Sequence, residues 1–361
     1  MISSHYQNQP LQILGLMSGT SLDGVDLAAC TFIETDNGWQ FKLDAATTIP
    51  YSDEWKNKLK NAPFTSGEEL TQLHAELGKY FAKLINDFND QHLIKPSFIG
   101  SHGHTIFHQP SKNFTLQIAD GAQIAALTGI DTICDFRNKD IALGGQGAPL
   151  VPIGDRLLFS EYAACINLGG IANVSYEKNG KRIGFDICPV NMLLNYFANR
   201  IDKPYDDEGN IARSGTIIPD LLEKLNNLNY YKQSGPKSLG KEWFDKEVLP
   251  LVEDRNETTA DLLRTSVEHI AMQHRLIKTI TSVNEKILLS GGGVFNTFLV
   301  ERMTSISDRL LEKPSVDIIQ YKEAIVFAFL AMLFVNNHDN VLCSATGSSK
   351  NHCGGAYHRG N

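Results

Sequence analysis

The chain has 361 residues, a length that suits two domains. It is 42% hydrophobic and 20% charged, the balance of an ordinary soluble globular protein. A net charge of -8 without any basic run argues against nucleic acid as a partner, while leaving room for a local basic cleft that receives phosphates.

Leu11–Met17 and Val25–Phe32 read as paired strands, with Trp39–Ile49 as a third. Ser52–Asn61 and Ser66–Asn89 read as helices, the second with Leu70, Leu73, Leu77, Phe81 and Leu84 at helical spacing. Ser97–Gly100 reads as a short strand entering a loop, Ser101 to Thr105. Ala119–Thr128 reads as a helix and Asp131–Phe136 as a strand. The second half repeats this plan. Ala163–Leu168 ends in Gly169 and Gly170, Ile171–Tyr176 returns, and Asn179-Gly180 is a type I′ turn into Arg182–Asp186. A helix then starts near Pro189, a residue suited to a first helical position. A longer helix covers Thr258–Thr279. Lys286–Leu289 is a strand entering Ser290 to Gly293. Asn296–Thr304 reads as a helix, Val316–Ile319 as a strand and Glu323–Val335 as a helix.

Both halves thus give the order βββαβαβα, with a glycine-bearing hairpin near the start and a glycine loop after the fourth strand. Two such lobes, facing each other, would bring both hairpin turns to one nucleotide cleft. A single large α/β domain with incidental hairpins has the same element order.

The turn between the first two strands is the most informative segment. Ser18, Gly19, Thr20, Ser21, Leu22, Asp23, Gly24, Val25 and Asp26 form a small-residue hairpin rich in backbone N–H groups and hydroxyls. Successive N–H groups make a concave nest for anions, and small side chains let a phosphate approach. Asp23 and Asp26 at the exit suit a Mg²⁺, which binds through one or two carboxylates plus substrate phosphates. An ordinary turn with nothing bound fits this segment equally well. It is neither a Walker A loop, having no Gly-Lys-Ser/Thr, nor a dinucleotide fingerprint opening a helix.

The cysteines, Cys30, Cys134, Cys165, Cys188, Cys343 and Cys353, are scattered without a Cys-x-x-Cys pair, which fits free thiols and a cytoplasmic location. Met1 to Pro10 is polar and lacks the apolar centre of a signal peptide. No stretch reads as a membrane span; the apolar run Ala324–Val335 has the length of a buried helix.

The chain resembles the anhydro-N-acetylmuramic acid kinases of the hexokinase–Hsp70–actin superfamily. The resemblance runs from Gly15 to the tail. It is carried by Gly15–Asp26 (GLMSGTSLDGVD), Gly100–Thr105 (GSHGHT), Asp135–Asp140 (DFRNKD), Gly144–Pro152 (GGQGAPLVP), Ile166–Val174 (INLGGIANV), Gly184–Asp186 (GFD), Gly291–Asn296 (GGGVFN) and Glu323-Ala324. It implies two actin/hexokinase-like lobes, residues 1–136 joined by the tail 340–361, and residues 137–339. It implies a kinase that opens the anhydro ring of 1,6-anhydro-N-acetylmuramic acid with water and phosphorylates the freed O6 from ATP, in cell-wall recycling. ATP, Mg²⁺ and the sugar are then the partners, with no nucleic acid and no membrane; a homodimer is compatible. A same-fold kinase for another sugar, or an inactive nucleotide- and sugar-binding protein, stays open.

The resemblance assigns Asp186 as general base, accepting a proton from the attacking water; a plain helix cap is the alternative. It assigns ATP and its metal to Ser18–Asp26, the opposing hairpin to Gly169 and Gly170, and the adenosine side to Gly291, Gly292, Gly293 and Asn296. His102, His104, Asp120, Arg137 and Glu323 are candidates for the sugar. His102 and His104 follow a strand end, so both are expected to face the cleft, and Arg137 suits the lactyl carboxylate in bidentate fashion. Structural roles compete: an ion pair of Arg137 with Asp135 or Asp140, and a favourable charge at a helix start for Glu323. A zinc site from His102, His104 and His108 is a poor reading, since no Cys joins them and no helix orders them. Where the family reads Asp-Thr-Gly-Pro-Gly-Asn, this chain has Asp186-Ile187-Cys188-Pro189-Val190-Asn191, and His104 stands for a family Gln. Cys188 and Val190 are expected to crowd the site, and Val190 suits no positive-φ position.

Overall fold

The computed structural model describes residues 6, 9–233 and 237–360, so most of the polar stretch Met1–Pro10 lies outside the described residues. The chain divides into two compact units, Met1–Leu158 with Tyr321–Asn361, and Phe159–Gln320. In chain order the first unit holds β1 (Leu11–Ser18), β2 (Gly24–Thr35), β3 (Gly38–Pro50), β4 (Phe98–Gln109), β5 (Phe114–Ile118) and β6 (Asp131–Cys134). The second holds β7 (Ala164–Leu168), β8 (Ile171–Lys178), β9 (Lys181–Pro189), β10 (Lys286–Ser290) and β11 (Leu310–Glu312). β12 (Ala356–His358) returns to the first.

The two sheets share one plan. The first runs β12-β6-β4-β1-β2-β3 with β5 on β4, and the second β11-β10-β7-β8-β9. In each, three strands form an antiparallel meander, and the first of them pairs in parallel with the next strand across. Parallel pairing then continues to β6 and to β11. The duplicated strand order read from the sequence is that of the sheets with two differences: β5 was not expected, and the last strand of the second sheet is Leu310–Glu312 rather than Val316–Ile319.

The boundary expected at Phe136 lies elsewhere: residues 137–158 and 321–339 belong to the first unit. The reason is one helix. Val316–Ile319 is not a strand but the start of an unbroken helix, Val316–Val335. Its β-branched residues favour a strand locally, but Pro314 breaks the chain and the Ser315 carbonyl accepts from Ile319 N–H at 3.1 Å, opening a helix instead. The last strand of the second sheet is the three-residue β11. From Tyr321 the helix packs on the first sheet. A Cβ on Gly15 would lie 1.9 Å from the Ala324 carbonyl oxygen, and one on Gly100 would lie 2.2 Å from that of Phe327. Only glycine lets the helix come so near. By length and composition this helix could cross a membrane, but 72% of its apolar window is buried, as in a core helix.

The other face of the first sheet is covered by the helix Gly67–His92. Its start is a reciprocal capping box: Ser66 Oγ accepts from Glu69 N–H at 3.2 Å and Glu69 Oε2 from Ser66 N–H at 2.8 Å. It buries Leu73, Leu77, Phe81, Leu84, Ile85 and Phe88. In the second unit, Leu168, Val174, Phe197, Val267, Leu289 and Met303 belong to one core. Cys188 and Val190 are fully buried in that same core, and Val190 has φ -118°. The expected crowding is thus absent, because both side chains point into the core.

Candidate active site

In the first unit the turn between β1 and β2 leaves Thr20, Ser21 and Asp23 exposed, with Leu22 at φ +61°. Leu22 N–H donates to the Gly19 carbonyl at 3.3 Å. A Cβ on Gly19 would meet nothing nearer than Ser21 Oγ, at 3.6 Å. The fold therefore does not require glycine there, and the space beside it is open to a ligand. Val25 is buried in the core and Leu22 packs against it, so these two offer a ligand backbone more than side chain.

His102 and His104 are not loop residues. Both lie inside β4, buried, on either side of a β-bulge. Leu16 pairs with Ser101 but Ser18 with His104, so β4 advances one residue more than β1. Gly103 absorbs the extra residue at φ +74°. The bulge sends the two imidazoles apart. His102 packs on Phe327 of the long helix, ring centroids 4.7 Å apart. His104 turns to the face carrying Tyr51, its Nδ1 2.8 Å from Ser18 Oγ. The expectation that both face the site as a pair is corrected accordingly. Burial holds both histidines neutral: His102 well below the usual value, with the Arg137 charge adding to the effect, and His104 at about 4.

Arg137 is positioned by His102. Its Nη2 and Nε reach His102 Nε2 at 2.9 and 3.2 Å, and Nη1 donates to the Gly147 carbonyl at 2.7 Å. His102 Nδ1 donates in turn to the Gly103 carbonyl at 3.0 Å, so the tautomer is set. Burial lowers the Arg137 pKa to about 10, and the Glu323 charge opposes that shift. Glu323 lies two turns inside the helix rather than at its start, so the helix-start reading falls. Its side chain reaches solvent, yet the surrounding protein desolvates the carboxylate and raises its pKa. Arg137 pulls that pKa down and Asp26 pushes it up. Asp26 accepts from Thr48 Oγ1 at 2.6 Å; burial first, and the Asp23 charge after it, raise its pKa. Asp26, Glu323 and Arg137 thus form one electrostatically linked group.

Asp140, offered as an ion-pair partner of Arg137, is engaged by other groups instead. Fully buried, it accepts from Gly147 N–H (2.7 Å) and Thr346 Oγ1 (2.7 Å), and lies 3.1 Å from His352 Nε2. The Asp135–Asp140 and Gly144–Pro152 motifs and the tail are tied together there. Asp120 caps the helix Gly121–Thr128 by accepting from Ala122 N–H at 2.9 Å, and its charge acts on His74 and Cys134. A cap is thus what the structure gives it.

In the second unit Gly169 and Gly170 form a tight turn whose carbonyls accept from Asn191, Val190 and Met192 N–H at 3.2, 2.8 and 3.1 Å. These bonds occupy the N-terminus of the helix Asn191–Ala198, which begins after Pro189 and not at it. Gly291, at φ +82°, lies where a Cβ would be 2.4 Å from Asn167 Oδ1, so the loop after β10 sits hard against the end of β7. A Cβ on Gly292 would meet only Asn191 Nδ2, at 3.9 Å. Asn296 caps the helix Thr297–Ser307, its Oδ1 accepting from Leu299 N–H at 2.9 Å.

Asp186 is not at the end of its strand. Asn173 pairs with Asp186 and Ala172 with Cys188, so Ile187 is the extra residue of a second bulge. One carboxylate oxygen, Oδ2, accepts from Leu239 N–H at 2.8 Å. The backbone is held by Tyr230 Oη on its carbonyl (2.7 Å) and by the Lys237 carbonyl on its N–H (3.0 Å). Burial raises the carboxyl pKa, and the Leu239 bond offsets part of the rise. Tyr51, Tyr230, Lys237 and Leu239 were not signalled by any motif. Among the described residues no cluster of three or more His, Cys, Asp and Glu could hold a metal, and all six cysteines are free.

The doubled sheet plan is that of the actin/hexokinase-like fold class. The anhydro-N-acetylmuramic acid kinase family model matches residues 11–359. An anhydro-N-acetylmuramic acid kinase of Colwellia psychrerythraea is 37% identical, covering 93% of this chain and 94% of its own length. Those of Actinobacillus pleuropneumoniae (36%) and Neisseria meningitidis (34%) each align over 93% of this chain and 96% of their own. A solved activator of 2-hydroxyisocaproyl-CoA dehydratase from Clostridium difficile, with bound ADPNP, is a distant likeness: TM-score 0.45 and 14% identity, over 90% of this chain and 96% of that one. The chain belongs to the anhydro-N-acetylmuramic acid kinase family.

Proposed function

We propose that the chain converts 1,6-anhydro-N-acetylmuramic acid to N-acetylmuramic acid 6-phosphate with ATP. The observation that carries this reading is Asp186, a carboxylate set at a bulge, with one oxygen held by Leu239 N–H and a pKa raised by burial. Such a group suits a general base. Asp186 takes the proton of a water whose oxygen bonds to C1. The C1–O6 bond breaks, its electron pair goes to O6, and O6 attacks the γ-phosphorus of ATP; ADP leaves.

Phosphoryl transfer rests on positioning and charge neutralisation. The backbone N–H groups of Gly19, Thr20, Ser21 and Asp23 are assigned to the phosphates, with Gly169, Gly170 and Gly292 as further backbone contacts. Arg137, preset by His102 and Gly147, is assigned to the sugar carboxylate, and Glu323 to its polar groups. Mg²⁺ fits the first turn, since Asp26 is a carboxylate whose charge is disfavoured by burial and by Asp23. Asp26 and Asp23 would hold it, directly or through water, with the phosphates as remaining ligands. Bound there, it would neutralise charge on the phosphates.

The test is ATP turnover with and without the anhydro sugar. Sugar-dependent ADP release with formation of a sugar 6-phosphate is expected. Turnover only with another sugar, or binding without turnover, would reject this reading.

A further inference from the structure

We propose that Tyr51 and His104 are positioning residues that fix the phosphate turn by gripping Ser18 from two sides. The inference rests on the reading of Ser18–Asp23 as that turn. Tyr51 acts at both ends of it. Its hydroxyl lies 2.7 Å from Ser18 Oγ, and its backbone N–H donates to the Asp23 carbonyl at 3.4 Å. His104 Nδ1 holds the same Ser18 Oγ at 2.8 Å. Ser18 is fully buried, so its hydroxyl answers to these two partners and not to water.

The direction of the protons follows. Among the described residues Ser18 is the partner of the Tyr51 hydroxyl, so Tyr51 donates to Ser18. Ser18 then donates its own proton to Nδ1 of a neutral His104. A protonated His104 would aim a second N–H at an oxygen already receiving one proton, and the Ser18 proton would be left without an acceptor. Burial keeps the imidazole neutral, with its pKa lowered to about 4. The Tyr51 ring is anchored independently, 6.2 Å from Tyr80, which stacks on Trp55 at 4.7 Å. Beyond Leu22, which packs against the core, the turn has few side-chain supports of its own: a Cβ on Gly19 would meet only Ser21 Oγ, and Thr20 and Ser21 are exposed. The bulge at Gly103 serves this arrangement, since without it His104 would lie on the opposite face with His102.

The experiment compares Tyr51→Phe, His104→Ala and His104→Gln by steady-state kinetics against ATP and the anhydro sugar, with thermal unfolding in parallel. Tyr51→Phe keeps the ring packing, so the fold is retained. Tyr51→Phe and His104→Ala are expected to raise the KM for ATP about tenfold, the size of one buried hydrogen bond. The KM for the sugar and kcat should stay near their starting values. His104→Gln should restore the ATP KM, because its amide oxygen can accept from Ser18. An unchanged ATP KM in folded Tyr51→Phe and His104→Ala overturns the proposal, as does an equal rise in both KM values. Gly19→Val is the control. If it raises the ATP KM while those two do not, the phosphate turn stands and this proposal falls. If Gly19→Val also leaves it unchanged, the reading of the turn has failed.

Discussion

The turns Gly19–Asp23 and Gly169-Gly170 occupy the same place in two copies of one sheet plan, yet they are held by different means. The first is longer and is held by side chains, Tyr51 and His104 on Ser18. The second is two residues long and is held mainly by backbone, its carbonyls taking the N–H groups that open the helix Asn191–Ala198, with Asn191 Nδ2 on the Leu168 carbonyl at 3.3 Å. That helix start therefore has no N–H groups to spare for an anion. Any phosphate contact on the second turn must come from its own N–H groups. Carboxylates differ too: Asp23 and Asp26 follow the first turn, while Ile171 and Ala172 follow the second. On the function proposed above, a duplicated scaffold is specialised, one hairpin for a charged ligand and its metal, the other as a brace for the strand that carries Asp186.

The largest test of this division is Asp186→Asn. The amide keeps the shape and the Leu239 bond but cannot accept a proton at neutral pH. Turnover should fall by about 10²–10⁴-fold, the usual worth of general acid–base catalysis, with ATP binding largely intact. In the unmodified enzyme, kcat/KM should fall as pH drops through the Asp186 pKa. Because burial raises that pKa, the acid limb should be shifted upward from that of an ordinary aspartate. Near-normal turnover in the variant would move the base elsewhere.

Next in size is Gly19→Val against Gly170→Val. Both positions are open: a Cβ on Gly170 has nothing within 4 Å, and one on Gly19 meets only Ser21 Oγ. Neither change should unfold the protein, so calorimetric titration reads binding directly. Gly19→Val should weaken ATP by about tenfold or more, a valine replacing the contact of a phosphate with an N–H group, and Gly170→Val by less. Equal losses would erase the distinction between the turns.

Gly100→Ala sharpens the comparison from the other side, since Gly100 also sits in a motif that reads as a ligand loop. A Cβ there would press on the Phe327 carbonyl. The cost should be about 1–3 kcal/mol, as for overpacking elsewhere, visible in denaturant midpoints and not in ATP affinity. Unchanged stability would mean that the helix shifts freely on its sheet.

Much of this was legible in the sequence because it is local. Apolar runs gave β1, β2 and β3, the helical spacing of Leu70, Leu73, Leu77, Phe81 and Leu84 marked the second helix, and Asn179-Gly180 adopts φ of 53° and 73° as a type I′ turn needs. Long-range register was not legible. The bulges at Gly103 and Ile187 exist only in relation to β1 and β8, and they decide where His102, His104 and Asp186 point. β11 is too short to show a period. Val316–Ile319 carries strand propensity that capping and packing override. Motif recognition alone does not separate candidate ligand groups from struts. Asp140, Gly15 and Gly100 lie in motifs yet hold the fold, whereas Tyr51 lies in none and touches the turn.

The smallest expected effect belongs to Asp23→Ala, and it addresses the charge difference between the turns. Asp23 is exposed, and its charge is one of the causes that raise the Asp26 pKa. Removing it takes one negative charge from beside Asp26 but leaves that carboxylate and its Thr48 bond in place. A Mg²⁺ held by Asp26 and the phosphates should then bind a few-fold more weakly, about the size of one partly solvated charge pair. ATP affinity without Mg²⁺ should stay the same or rise slightly, since a like charge near the phosphates is gone. Titration of ATP with and without Mg²⁺ separates the two effects. If Mg²⁺ dependence is unchanged in Asp23→Ala and also in Asp26→Asn, the carboxylates beside the first turn have no metal role, and the specialisation of that hairpin reduces to its backbone geometry.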